Sequence, residues 1–277
     1  MVKVGITEVD IAFEDKDTAK ERCQHVIEQA AANGVELLVF PEMTLTGFTM
    51  MPAKVAETYS DGHIPESVSF FMKNSRKYGM AIAFGYIEVS MADKSPEYKD
   101  DGRKIYENKL AVVDGGDLIM DYTKIHPFSF GGEDRVYHAG SMLCQTKVKD
   151  LRLGGYICYD LRFPEIFTAA RDRYDAVLVI ANWPESRVAQ WDALLKARAI
   201  ENQAYVIGVN RKGTVKSESY VPSSHIYDCL GNDIAERVSE ELLVAELDPA
   251  VIEKSRKVFP QGRDRKCDLY SAFLQNR

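Results

Sequence analysis

The sequence has no long apolar run and no segment that would direct the chain to a membrane. No stretch approaches the roughly 20 consecutive apolar residues that a membrane helix requires. The first ten residues also lack the basic segment, apolar run and cleavage site of a signal peptide. These absences predict a protein that does not span a membrane and carries no export signal.

Residues that form disulfides or bind metals are also scarce. Only five cysteines and five histidines occur among the 277 residues. The cysteines are scattered, odd in number and never arranged as CxxC, so neither a disulfide framework nor a structural zinc site is expected. The histidines form no HxH or HExxH pattern, which argues against a metal site. A reducing, cytoplasmic setting fits these features.

The charge balance is modestly acidic, with 42 acidic and 35 basic side chains and a net charge of −7. Such an excess favours solubility and argues weakly against a nucleic-acid partner. The composition is 45% hydrophobic, which is ordinary for a globular protein with a core. The length suits one large domain or two small ones. Because no repeat or linker-like run interrupts the chain, we expect one domain over residues 1–277.

Short apolar runs alternate with segments of helical character. Strands are predicted at residues 2–9, 37–40, 80–89, 151–158, 176–180 and 204–209. Helices are predicted at about 17–33, 67–78, from Pro164, at 190–202 and at 248–257, followed by a polar tail. Hairpins are predicted at 106–122 and 224–234, and a surface loop at 91–103. This order is typical of an α/β protein with a mixed sheet.

Cys158 occupies a position where a side chain can reach a cleft. It ends the strand that runs from Gly154 and precedes a turn and the helix from Pro164. Side chains at the carboxyl ends of strands commonly face a binding crevice, and nearby amides can stabilise a thiolate or an oxyanion. The alternative is a buried structural cysteine, which is common for this residue type. Position alone leaves both interpretations open.

Glu42 and Lys124 also follow predicted strands. Each residue by itself would ordinarily be a solvated surface side chain. Together with Cys158 they form a chemical set, because a thiol nucleophile needs a base and an attacked amide carbonyl needs a cation or donor for its oxyanion. Residues distant in sequence can meet in such a set because strand ends and their loops converge in space.

Three segments around these residues resemble those of nitrilase-like carbon–nitrogen hydrolases. The segments are Phe40 to Gly47, Tyr122 to Phe128 and Gly155 to Glu165, and they occur in the order and at intervals similar to those of that family. Further matches run through residues 197–203 and 224–231. The resemblance covers nearly the whole chain.

The resemblance implies a single-domain four-layer α-β-β-α sandwich with a catalytic triad of Glu42, Lys124 and Cys158. It implies a helper glutamate, for which Glu133 is the candidate, and an oxyanion contact from the backbone N–H of Tyr159. The implied reaction passes through a thioester and needs no cofactor. A homodimer or higher homo-oligomer is also implied.

Within the family, residues 158–164, 181–184 and 197–203 look most similar to omega-amidases, which hydrolyse the terminal amide of 2-oxo acids such as 2-oxoglutaramate. This likeness implies a small carboxylate-bearing amide as substrate. Arg162 is then a candidate for holding the carboxylate by a paired hydrogen bond, or else a structural arginine that ties loops together. Trp183 is expected to shape the pocket. Relatives acting on N-carbamoyl amines or deaminated peptides share much of this pattern and remain alternatives.

Two interpretations outside this family are less consistent with the sequence. A Cys–His thiol peptidase with His126 as base would lack the peptidase segments around its cysteine and would leave Glu42 unexplained. A non-catalytic binding module on the same fold would not require Glu42, Lys124 and Cys158 together.

Overall fold

Two β-sheets form the centre of the structure, a computed structural model that describes residues 1–60, 62–91 and 104–275. The strands, in chain order, are β1 (Val2–Thr7), β2 (Leu37–Val39), β3 (Ala81–Met91), β4 (Lys104–Asp114), β5 (Asp117–Thr123), β6 (Tyr137–His138), β7 (Gln145–Val148), β8 (Leu151–Ile157), β9 (Ala176–Ala181), β10 (Tyr205–Asn210), β11 (Gly213–Val215), β12 (Glu218–Tyr220), β13 (His225–Tyr227), β14 (Glu236–Arg237) and β15 (Leu242–Leu247).

The larger sheet has eight strands and the smaller sheet has five. The order in the larger sheet is β14-β15-β1-β2-β3-β4-β5, with β6 beside β4, and in the smaller sheet it is β13-β10-β9-β8-β7. Strands β1, β2 and β3 run parallel to one another, and so do β8, β9 and β10. Strands β3, β4 and β5 form an antiparallel meander. Strands β11 and β12 form a separate hairpin.

Helices cover the outer face of each sheet. The helices are α1 (Lys16–Ala32), α2 (Glu66–Tyr78), α3 (Pro164–Ala169), α4 (Val188–Asn202), α5 (Pro249–Val258) and α6 (Cys267–Gln275), of which α6 has no buried residue and covers neither sheet. Apolar residues of α1 and α2 share a core with the larger sheet, and those of α3, α4 and α5 pack with the smaller sheet. The sequence prediction of a four-layer α-β-β-α sandwich is therefore confirmed.

Successive side chains of a strand point to opposite faces of its sheet and therefore pack into two different cores. Leu37 and Val39 of β2 lie in the core between the sheets, whereas Leu38 lies in the core beneath the helices. The sheets approach closely at Gly155, where an added Cβ would lie 2.6 Å from side-chain atoms of Leu110 and Met120. A side chain at this position would require the Leu110 and Met120 side chains to move.

Several boundaries differ from the sequence prediction. Helix α1 is capped by Asp15, whose carboxylate accepts the Thr18 N–H, so the helix begins at Lys16, one residue before the predicted start. The predicted second hairpin forms only β13 and a bridge between Tyr227 and Asp233. The predicted tail after residue 257 contains a further helix, α6, over residues 267–275. Strand β15, which was not predicted, lies antiparallel beside β1. Of the surface loop predicted at 91–103, residues 92–103 lie outside the residues that the structure describes.

A helix that spans a bilayer needs about 20 predominantly apolar residues, and the helices of this structure are shorter. The longest, α1, has 17 residues. No helix in the described ranges is long and apolar enough to cross a membrane.

Candidate active site

Four polar residues converge from the ends of strands in both sheets. Glu42 follows β2 and Lys124 follows β5 in the larger sheet, whereas Cys158 follows β8 and Asn182 follows β9 in the smaller one. The site therefore lies at the edge where the two sheets meet, and each sheet contributes part of it.

The centre of this site is a buried lysine between two buried carboxylates. The Lys124 Nζ lies 3.0 Å from Glu42 Oε1 and 2.8 Å from Glu133 Oε2. All three side chains are almost fully inaccessible to solvent. Burial by itself lowers the pKa of Lys124, but the charges of Glu133 and Glu42 raise it well above the usual value. Lys124 therefore stays positively charged at neutral pH.

Glu42 is fixed by donors from both sheets. Its Oε1 accepts a hydrogen bond of 2.7 Å from the Asn108 side chain on β4, and its Oε2 accepts one of 2.9 Å from the Asn182 backbone N–H. The Asn182 side chain also donates to the Glu42 carbonyl at 2.7 Å. The carboxylate is therefore held in one orientation before any ligand binds.

Glu133 connects this cluster to the loop after Lys124. It lies in a short 3-10 turn, Glu133–Arg135, and its Oε2 accepts the Phe128 N–H at 2.6 Å. Its Oε1 accepts a second hydrogen bond from Asn108 at 3.0 Å. Glu133 thus neutralises Lys124 and orients the loop that carries Phe128.

Cys158 adopts a backbone conformation that is uncommon for a residue with a side chain. Its φ is +46°, and it begins the 3-10 turn Cys158–Arg162. Burial raises the pKa of its thiol well above the usual value, the Glu42 carboxylate raises it further, and Lys124 acts in the opposite direction. The thiol is therefore protonated at neutral pH and needs a base before it can act as a nucleophile.

The turn after Cys158 is held by the fully buried Asp160. Its carboxylate accepts hydrogen bonds from the Ile157 N–H at 3.0 Å and the Tyr122 hydroxyl at 2.8 Å. It also accepts the His126 N–H at 3.0 Å, and His126 Nδ1 lies 2.8 Å away. His126 is thus directed at Asp160 and does not line the cavity described below. This geometry gives no support to a Cys–His pair.

Lys124 and Cys158 both line a cavity of about 290 Å³. Aromatic side chains supply much of its wall, and the lining residues are Phe48, Lys124, Phe128, Phe130, Gly131, Cys158, Tyr159, Arg162, Asn182, Trp183, Pro184, Arg187, Glu218 and Tyr220. A cavity of this size with few charged groups fits a small molecule that has a short polar end.

Arg162 and Trp183 lie together in the cavity wall. The Arg162 guanidinium carbon is 4.8 Å from the centroid of the Trp183 ring, and one of its terminal nitrogens donates to Gln190 Oε1 at 2.7 Å. Arg162 therefore has a structural partner and at the same time faces the cavity.

Tyr220 brings a phenol to the wall from the β11–β12 hairpin. Burial raises its pKa to about 12, although the nearby Arg211 guanidinium lowers it. The hydroxyl thus remains a hydrogen-bond donor at neutral pH.

The described residues contain no group of three or more His, Cys, Asp or Glu side chains arranged to hold a metal ion. The positive charge between the carboxylates of Glu42 and Glu133 is the Lys124 ammonium.

The structure brings together the residues that sequence reasoning selected. Lys124 forms ion pairs with both Glu42 and Glu133. The cavity is lined by Lys124 together with Cys158, Tyr159, Arg162 and Trp183. Sequence reasoning missed the supporting residues Asn108, Asp160 and Asn182 and the cavity residues Arg187 and Tyr220. The sequence offers a weak signal for Asn108, a polar residue two positions before the apolar run at 110–113. In the structure Asn108 is fully buried.

Known proteins resemble this chain over most of its length. The carbon–nitrogen hydrolase family matches residues 3–257. Omega-amidase YafV of Yersinia enterocolitica is 33% identical over 233 residues, which are 83% of this chain and 84% of that protein. The 2-oxoglutaramate amidase of Bacillus subtilis (strain 168) is 29% identical over 269 residues, which are 96% of this chain and 98% of that protein.

A solved structure shows the same fold. XC1258 from Xanthomonas campestris, a CN-hydrolase superfamily protein, superposes with a TM-score of 0.81 at 26% identity and covers 96% of this chain and 97% of its own. The chain therefore belongs to the carbon–nitrogen hydrolase family and is a carbon–nitrogen hydrolase enzyme.

Proposed function

We propose that this enzyme is a cysteine-dependent amidase that hydrolyses a small carboxylate-bearing amide through a thioester. The observation that carries the proposal is the placement of Cys158 and Lys124 in the wall of one cavity, with the Glu42 carboxylate hydrogen-bonded to Lys124. A nucleophile, a base and a fixed cation are the groups that acyl transfer from an amide requires.

In the first half of the reaction, Glu42 accepts the proton of the Cys158 thiol, and the sulfur attacks the amide carbon. Lys124 and the Tyr159 backbone N–H stabilise the resulting oxyanion. Tyr159 lies in the first turn of its 3-10 helix, where an N–H has no partner within the helix. Glu42 then gives its proton to the departing ammonia, and the carbon–nitrogen bond breaks to leave a thioester.

In the second half, a water molecule gives a proton to Glu42 and attacks the thioester. Collapse of the second tetrahedral intermediate breaks the carbon–sulfur bond and releases the acid, and the thiol regains its proton. Glu42 alternates between base and acid, which its fixed position between Asn108 and Asn182 favours. The net change is amide plus water to acid plus ammonia.

The substrate we propose is the amide of a short 2-oxo acid, such as 2-oxoglutaramate. The relatives named omega-amidase and 2-oxoglutaramate amidase support this choice, and so does the cavity wall with its guanidinium at Arg162. The nitrogens of Arg162 that do not bind Gln190 would hold the carboxylate, and Trp183 would pack against the carbon chain. Hydrolysis of an N-carbamoyl amine or a deaminated peptide remains the second candidate, because both substrates contain an amide-type carbon–nitrogen bond that the same groups can cleave.

Ammonia release from 2-oxoglutaramate and from a neutral amide of similar length tests the substrate. We expect kcat/KM to be about 10–100-fold higher for the acid, since one charge-assisted hydrogen bond contributes about 1.5–3 kcal/mol. Arg162→Ala should reduce that preference, and Arg162→Lys should recover only part of it because an ammonium does not reproduce the guanidinium fork. A wild-type enzyme without preference for the acid would contradict the carboxylate site. A preference that Arg162→Ala leaves unchanged would return Arg162 to a structural role.

Exhaustive chelation is expected to leave amidase activity unchanged. The oxyanion is assigned to Lys124 and an N–H group, so no divalent ion takes part in the proposed steps. The measurement is the rate of ammonia release after dialysis against EDTA, with and without added Zn²⁺ or Mg²⁺. Loss of activity that a metal ion restores would contradict the assignment.

A further inference from the structure

One guanidinium in the cavity wall has no part in the mechanism above. Arg187 ends the short turn Glu185–Arg187 immediately before α4. Its backbone is fixed, because its carbonyl accepts the Trp183 Nε1–H at 2.9 Å and its N–H donates to the Pro184 carbonyl at 3.0 Å. The residue is half-buried and lines the cavity.

The side chain of Arg187 lacks a polar partner within the ranges that the structure describes. Its guanidinium carbon lies 5.6 Å from the centroid of the Phe128 ring. Three other half-buried or buried arginines donate to oxygen atoms: Arg162 to Gln190, Arg198 to Glu201 and Leu161, and Arg211 to Asp10 and Ile11, although Arg198 Nε has no partner. The half-buried guanidinium of Arg187 therefore keeps donors that a ligand in the cavity can bind.

The charges around the cavity favour an anion as that ligand. The charge of Lys124 is balanced by Glu42 and Glu133. The other charged lining residues are Arg162, Arg187 and the exposed Glu218. Two arginines against one solvated carboxylate leave the cavity with an excess of positive charge, which attracts anionic ligands.

A single indole positions both arginines. The Trp183 ring stacks under Arg162, and its Nε1–H holds the backbone of Arg187. Since Arg162 already gives one nitrogen to Gln190, it cannot offer all of its donors to a substrate. A 2-oxo acid presents a carboxylate and an adjacent keto oxygen, which are acceptors for two guanidiniums rather than one.

We propose that Arg187 is a specificity-determining residue that binds the carboxylate of the acyl part of the substrate, with Arg162 as its neighbour. This inference rests on the proposed amidase function. It assigns the selection of acidic substrates to the Trp183–Arg187 turn as well as to the turn that follows Cys158.

Steady-state kinetics of Arg187→Gln provide the first test. We expect KM for 2-oxoglutaramate to rise about 10–100-fold, which corresponds to the loss of a charge-assisted hydrogen bond, with kcat within a few-fold of wild type. The kcat/KM for the neutral amide should not change, and Arg187→Lys should be intermediate. The control is Arg173→Gln, which removes the same charge from an exposed arginine that is not part of the cavity. Equal losses for the acidic and neutral amides, or no loss for either, would overturn the proposal.

The second test does not depend on turnover. In wild type, 2-oxoglutarate should protect Cys158 from alkylation by iodoacetamide, measured by mass spectrometry of the labelled peptide. Arg187→Gln should need about 10–100-fold more 2-oxoglutarate for the same protection. Equal protection of wild type and variant, or no protection of wild type, overturns the role of Arg187. Protection that depends on Arg187 in a protein that hydrolyses no amide would support this inference and overturn the amidase proposal instead.

Discussion

Cys158→Ala is expected to lower kcat for amide hydrolysis by at least about 10⁴-fold, the scale seen when a covalent nucleophile is removed. The variant lacks only the sulfur, so its fold should be unchanged. The measurement is ammonia release under saturating substrate, together with circular dichroism and thermal unfolding to establish that the protein is folded. The turnover of wild type sets the reference.

The other cysteines provide the matched controls. Cys144 is half-buried and Cys267 is exposed in α6, and neither lines the cavity. Cys144→Ala and Cys267→Ala should retain kcat within a few-fold of wild type. Rapid acid quenching of wild type should also trap an acyl group on the peptide that contains Cys158. Appreciable activity in Cys158→Ala would refute the nucleophile, and an absent acyl group despite a fast first turnover would argue against the thioester.

Lys124→Met should have the second large effect, because it removes the cation from between two buried carboxylates. Breaking a buried ion pair by removing one partner costs about 3–5 kcal/mol of folding free energy. We expect a loss of this size in urea unfolding, and we expect activity to fall below detection because the oxyanion loses its charged partner. Adding Glu133→Gln should restore part of the stability, since it removes one of the uncompensated charges.

Lys109→Met is the control that separates stability from catalysis. Lys109 is also buried, and its Nζ lies 3.2 Å from Glu88 and 2.7 Å from Asp121, outside the cavity lining. This variant should lose stability in the same way but retain kcat at temperatures where it is folded. If Lys124→Met were as active as Lys109→Met, the assignment of the oxyanion to Lys124 would be wrong.

The sequence allowed prediction of those residues of the site that neighbouring residues in the sequence identify. Glu42, Lys124 and Cys158 each follow a strand, and as a chemical set in that position they indicate a shared cleft. The segments around them then indicated the sandwich. Strand β15 was missed although residues 242–247 are largely apolar, because a strand that pairs with the opposite end of the chain leaves no local sign of its partner.

The supporting residues could not be predicted because their partners are remote in sequence. Asn182 donates to Glu42 across 140 positions, and Asn108 does so across 66. An asparagine in a strand or at its end ordinarily indicates a turn or a solvated edge. Only the packing of one sheet on the other shows that these side chains are buried next to a carboxylate.

Arg162 illustrates a different limit of sequence reasoning. The sequence left open whether it binds substrate or ties loops together. In the structure it contacts Gln190 and Trp183 while it also lines the cavity. The two interpretations are compatible, because one guanidinium has enough donors for both contacts.

The position of Glu42 between Asn108 of the larger sheet and Asn182 of the smaller one has a thermodynamic consequence. A ligand in this cavity contacts residues from both sheets and therefore binds only when the sheets are docked. Because the ligand binds only the folded state, its binding increases the free energy of unfolding of the whole sandwich. A bound substrate or product thus holds the two sheets together. Hydrogen exchange of the backbone amides in β2 and β9 should therefore slow together when the cavity is occupied.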